Sequence, residues 1–203
     1  MNDGYRSVLD SIASSSPTPG GGAVAALGIA HGVSLARMVS ELTIGRERWV
    51  DGQEIAKSFI ADSNDWIERS IELAQIDCEA FDSVMNAYRM PKENEDEIHR
   101  RKKAIKAANL AAATSPLEIA RFGQQIMNRL PELASKCNAN AITDIGSASH
   151  LIHAGVQCAS LNVRINLGSL GESSTELASE IVEIVENVRL SHTSICSIVD
   201  DRI

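Results

Sequence analysis

The stretch GAVAALGIAHGVSLARMVSELTI, Gly22 to Ile44, decides the fold class. It is apolar for several helical turns and shows no alternation of the strand kind. Small residues recur along it: Ala25, Ala26, Gly28, Ala30, Gly32 and Ala36. A neighbouring helix could therefore approach closely, from the same chain or from another subunit. His31, Arg37 and Glu41 make a lipid-facing span costly. The segment reads as a packed helix ending at Gly45, and no membrane partner is expected.

Working outward, a short helix is expected over Tyr5–Ala13, then a Ser/Pro/Gly loop from Ser14 to Gly22. A long helix is expected over Gln53–Tyr88, with Ile55, Phe59, Trp66, Leu73, Phe81, Val84 and Tyr88 at three-to-four spacing. Pro91 breaks it. A charged stretch, Glu93 to Lys106, opens the next helix, which Pro116 is expected to kink or end. Leu117 to Leu130 is helical up to Pro131. A Cys137-Asn138-Ala139-Asn140 loop precedes a helix over Ala141–Leu167, and Gly168 and Gly171 mark a turn. Ser173 with Glu176 reads as a capping box for the last helix. That helix carries Leu177, Ile181, Ile184, Val188, Ile195 and Ile198 on one stripe. The expectation is an all-α, single-domain bundle of long helices over residues 1–203.

Composition agrees. Aromatics are 3% of the 203 residues, so the core is aliphatic and rich in alanine, which favours helices over sheets. A net charge of -8 argues against general nucleic-acid binding. The four cysteines form no CxxC pair and no histidines have HxxxH spacing, so no metal is expected. The cysteines read as reduced thiols, and no signal pattern opens the chain; a cytoplasmic location is expected.

Several residues could carry chemistry. In Ser16-Pro17-Thr18-Pro19-Gly20-Gly21-Gly22, the glycines leave backbone N–H groups uncovered before a helix whose positive dipole end could bind a carboxylate or a ring edge. A flexible turn with a helix cap is the alternative. Asp77 has Leu73, Ala74, Ala80 and Phe81 three and four positions away, all apolar. A carboxylate on that stripe is costly unless paired or used, and burial would suit it to proton transfer. A structural acid bonded to a helix end or an arginine is the other reading. Asp82, among polar neighbours, is expected to be solvated. Asn162 and Asn166 share a helix face and could read a heterocycle or make a helix–helix bond. Asp144 lies in a first helical turn, where dipole interaction is its plainer role. Arg46 could cap a helix end or take an anionic tail. The run His99-Arg100-Arg101-Lys102-Lys103 reads as a solvated face, with a polyglutamate as its other possible partner. His31, His150, His153 and His192 are read as structural or exposed.

Taken together, SPTPGGGAVAALG at 16–28, LTIGRERW at 42–49, DCEAFDSVMNAYRMPK at 77–92, SPLEIARFG at 115–123, NANAITDIGSAS at 138–149 and LNVRINLGSL at 161–170 resemble the cyclodeaminase domain of formiminotransferase-cyclodeaminases and the free-standing methenyltetrahydrofolate cyclohydrolases. The resemblance spans nearly the whole chain. It implies an all-α fold, a homodimer or higher homo-oligomer with the active site near the interface, a tetrahydrofolate derivative as substrate, and neither metal nor redox cofactor. It places the conserved acid of the family's D-x-E-A-F motif at Asp77, and a pterin site around Pro19, Gly20, Gly21, Gly22, Arg46, Asp144, Asn162 and Asn166. Two positions depart from it: Gln75 and Glu47 stand where family members often carry an acid and a base.

The activity so implied is hydrolysis of 5,10-methenyltetrahydrofolate to 10-formyltetrahydrofolate. Its alternative is closure of 5-formiminotetrahydrofolate with release of ammonia. A non-catalytic folate-binding or structural helical protein is the reading of another class.

Overall fold

The computed structural model describes residues 3–171 and 174–203. Seven α-helices follow one another: α1 (Asp3–Ile12), α2 (Gly21–Thr43), α3 (Gln53–Arg89), α4 (Glu95–Met127), α5 (Leu130–Lys136), α6 (Ile142–Leu167) and α7 (Ser174–Asp200). Short 3-10 turns at Glu47–Gly52 and Ala139–Ala141 lead into α3 and α6. No strand occurs among the described residues. Away from Pro116 and Pro131, expected helix ends hold to within one or two residues; the stretch expected to run to Leu130 ends at Met127, and α5 was not expected. The Ser173 capping box lies outside the described residues.

α2 is the central helix, packed between α3 and α6. It alone among the described helices is long and apolar enough to cross a bilayer, yet buried residues run its whole length, from Gly22 to Thr43. The small residues explain this. A Cβ on Gly32 would lie 2.5 Å from Ile152 Cγ1 on α6, and one on Gly155 of α6 would lie 2.8 Å from the Ala25 carbonyl. The backbones meet at a distance that larger side chains would prevent. α2 and α6 run antiparallel: Gly21 faces Asn162, whereas Asn138, just before α6, donates its backbone N–H to Thr43 Oγ1 and its amide to the Leu42 carbonyl. One aliphatic core, with Ile29, Phe59, Leu117, Ile152 and Val188 fully buried, joins α2, α3, α4, α6 and α7.

Two expectations fail at prolines. α4 runs unbroken through Pro116. Proline there removes the N–H that would bond the Ala112 carbonyl; the Asn166 amide of α6 donates to that carbonyl instead, at 2.7 Å. Pro131 does not mark an end either. It sits in the first turn of α5, where a missing N–H costs nothing. α4 begins at Glu95 rather than Glu93, because Asn94 accepts the Glu97 N–H while the Glu97 carboxylate accepts the Glu93 N–H. This is a reciprocal cap.

Candidate active site

The N-terminus of α2 has no cap of its own: Gly20 stands at the N-cap and offers no side chain. Asp77, near the C-terminal third of α3, fills that place. Its carboxylate accepts the backbone N–H of Ala23, the third residue of α2, and the hydroxyl of Ser115 on α4 at 3.2 Å. An N-cap side chain would use the same N–H. Gly22 makes this possible, because a Cβ there would lie 2.4 Å from Asp77 Oδ2.

The carboxylate is half-buried. Burial pushes its pKa above the ordinary 3.8, and the bonds from Ser115 and Ala23 only partly oppose that rise. Leu73, Ala74 and Ala80 on the same stripe are buried and Asp82 is exposed, as expected, whereas Phe81, expected on the apolar stripe, is 40% exposed. Asp77 is thus a helix cap whose carboxylate is partly desolvated.

Around it stand some of the expected partners. Asn162 lies against Gly21, 3.3 Å from where a Cβ would be. Its Nδ2 donates back to the Cys158 carbonyl. Asn166 is one turn on, its Nδ2 committed to Ala112. Neither Oδ1 atom has a hydrogen bond among the described residues, and that of Asn162 lies 3.9 Å from where a Gly21 Cβ would be. Pro19 joins Thr18 through a cis peptide just before Gly20. Ser115 was not singled out from the sequence. It lies on the face of α4 that meets α3, where its hydroxyl reaches Asp77.

Arg46 and Asp144 are not here. Arg46 follows the C-terminal end of α2, and 22 residues at 1.5 Å each put that end about 33 Å from Gly21. Asp144 occupies the first turn of α6, about 27 Å along that helix from Asn162. The expected site therefore splits into two halves at opposite ends of the α2/α6 pair. A groove of about 590 Å³ lies beyond Asn166, lined by Lys103, Lys106, Leu110, Ser169 and Leu170.

The histidines hold a second cluster that spacing within one helix did not reveal. His150 and His153 of α6 meet His192 of α7, with ring centroids 4.7 Å and 4.5 Å from it. Cys196, one turn beyond His192, completes the group.

Comparison with known proteins follows the fold and Asp77. The family model described as formiminotransferase-cyclodeaminase matches residues 4–185. The methenyltetrahydrofolate cyclohydrolase of Methylorubrum extorquens is 36% identical over 84% of this chain and 82% of its own length. The formimidoyltransferase-cyclodeaminase of Rattus norvegicus is 31% identical over 82% of this chain, which spans 31% of that longer protein. The crystal structure of formiminotetrahydrofolate cyclodeaminase from Thermotoga maritima superposes with a TM-score of 0.85 at 26% identity, covering 97% of this chain and 95% of that one. The chain belongs to the formiminotransferase-cyclodeaminase family.

Proposed function

We propose that this chain is a folate one-carbon enzyme that hydrolyses 5,10-methenyltetrahydrofolate to 10-formyltetrahydrofolate. The observation that carries this is Asp77: a partly desolvated carboxylate held at the N-terminus of α2 against Gly22, with Asn162 against the neighbouring Gly21. The bridging carbon of the substrate is an amidinium, already electrophilic. Asp77 accepts a proton from the attacking water as the C–O bond forms. The tetrahedral intermediate then breaks its bond to N5, which takes up a proton and leaves the formyl group on N10. The raised pKa brings Asp77 closer to the working pH, as both halves of this proton transfer require. The Asn162 and Asn166 oxygens suit the N–H groups of a pterin edge. The Lys103 and Lys106 ammonium groups suit the carboxylates of the glutamate tail.

Closure of 5-formiminotetrahydrofolate with loss of ammonia is the second reading, supported by the likeness to the Thermotoga cyclodeaminase. It uses the same carboxylate as proton carrier. Purified protein supplied with each substrate in turn, with the methenyl absorbance followed, separates the two. No change with either substrate would sink both.

We further propose that the enzyme works as a homodimer in the cytoplasm. The four unpaired cysteines suit a reducing compartment. An antiparallel two-fold pairing of α2 or α6 with its own copy would bring the Arg46 and Asp144 half of one subunit to the Asp77 half of the other.

A further inference from the structure

The cluster on α6 and α7 has the composition of a transition-metal site. His150, His192 and Cys196 each offer a ligand atom, and these atoms lie within 4.8 Å of one another. The separation between Cys196 Sγ and His192 Nε2 is 3.7 Å. Metal–nitrogen bonds of about 2.1 Å and metal–sulfur bonds of about 2.3 Å at a tetrahedral angle give an edge of about 3.6 Å.

The surroundings orient His192 for this. Ser149 Oγ and His192 Nδ1 share a hydrogen bond of 2.7 Å, which leaves Nε2 as the ring nitrogen open to a ligand. Cys196 Sγ lies 3.7 Å from Nε2 and 3.9 Å from Nδ1, beside the ring, so ligation through Nε2 needs only a rotation of the thiol about its Cα–Cβ bond. A hydrogen bond on the far nitrogen is the usual way a ligating histidine is fixed.

We propose that His150, His192 and Cys196 bind a divalent transition metal of borderline softness, with zinc as the type. Two imidazoles and a thiolate select such ions over magnesium or calcium. Three protein ligands leave a position open to water, and His150, which is exposed, gives the ion its way in. Binding displaces the Cys196 thiol proton to solvent as the sulfur–metal bond forms. The site is about 18 Å along α6 from Asn162, so it is separate from the Asp77 centre and does not rest on the reading of that centre.

The probe is Co²⁺, titrated into the full chain under reducing conditions after chelator treatment. A near-ultraviolet thiolate-to-cobalt charge-transfer band is expected, saturating near one ion per chain and bleached by Zn²⁺. Cys196→Ser should remove the band, and Cys158→Ser, which changes an exposed thiol elsewhere, should keep it. His150→Gln lies on the surface and so tests a ligand without threatening the fold; it should weaken binding by at least about 10-fold, and Ser149→Ala by about 10-fold through the His192 bond. Absence of the band in the wild type, or its persistence in Cys196→Ser, overturns the proposal. Turnover of the folate substrate, measured on the same samples, should be unchanged by His150→Gln.

Discussion

A Cβ on Gly22 would stand 2.4 Å from Asp77 Oδ2. The carboxylate therefore occupies the space that any other residue at position 22 would fill, which ties a glycine in the first turn of α2 to an acid 55 positions away. Gly22→Ala must push Asp77 off the end of α2. The Ala23 N–H would lose its acceptor, and the base would leave its aligned position. A loss of about 10²-fold in kcat is expected from a displacement near 1 Å, with the fold retained by circular dichroism.

Asp77→Asn keeps the shape, with Oδ1 free to accept the Ala23 N–H and Nδ2 able to donate to Ser115 Oγ, but removes the base. We expect kcat to fall by about 10²-fold or more while folate binding persists. Stability should move the other way. Because the folded pKa lies above 3.8, the native state holds more protons than the unfolded chain between 3.8 and the raised value. Stability is thus lost as pH rises through that window, and at neutral pH the ionised Asp77 is a penalty. Asp77→Asn should melt no lower than wild type at pH 7, whereas a purely structural cap would melt lower. Asp82→Asn, at an exposed position, is the control and should change neither quantity.

The position of Asp77 was legible because a helix stripe is local: four neighbours within one turn declare which way it points. The same locality explains what was missed. The passage of α4 through Pro116 depends on Asn166, fifty residues on, and no nearby residue announces it. The histidine cluster draws on two helices, so spacing within either is silent. Arg46 and Asp144 were grouped with Asp77 by resemblance, and only the length of α2 and α6 shows them at the far end of the chain's own bundle.

The Asn166 bond to Ala112 can be weighed by a double-mutant cycle. Asn166→Ala leaves a carbonyl without its partner and should cost about 1–3 kcal/mol in urea unfolding. In a Pro116→Ala background the restored N–H can reach the same carbonyl, so Asn166→Ala should cost at least about 1 kcal/mol less there. Equal costs in the two backgrounds would mean that Asn166 acts on something other than the vacancy made by Pro116.

His192 gives the fold an acid limit. Its pKa is lowered from 6.5 to about 4, chiefly by burial and then by the neighbouring imidazoles. Between those values the unfolded chain binds a proton that the native state refuses, so stability falls as pH drops through 6.5 toward 4. With His192 partly open to solvent, the loss should be of order 1 kcal/mol. Urea midpoints measured in chelator from pH 7 downward should fall in wild type and fall less in His192→Gln.

The proposed dimer and its two half-sites can be tested together. Along α6, Leu151, Ala154, Cys158, Leu161 and Ile165 are all exposed at alternating three and four spacing, and Leu161 and Ile165 are 61% and 78% exposed. That is the spacing of a seam meant for another helix. α2 presents Val24, His31, Ser34, Met38 and Leu42 in a similar register. Leu161→Glu should yield a helical monomer by light scattering, with little turnover. The stronger test mixes two defective dimers. Asp77→Asn damages one half-site and Arg46→Ala the other. If each complete site joins halves from different subunits, a hybrid dimer carries one doubly damaged site and one intact site. Random exchange makes half of the dimers hybrid, so about a quarter of wild-type activity should return on mixing. No recovery after verified subunit exchange would show that Asp77 works without the partner's Arg46 end.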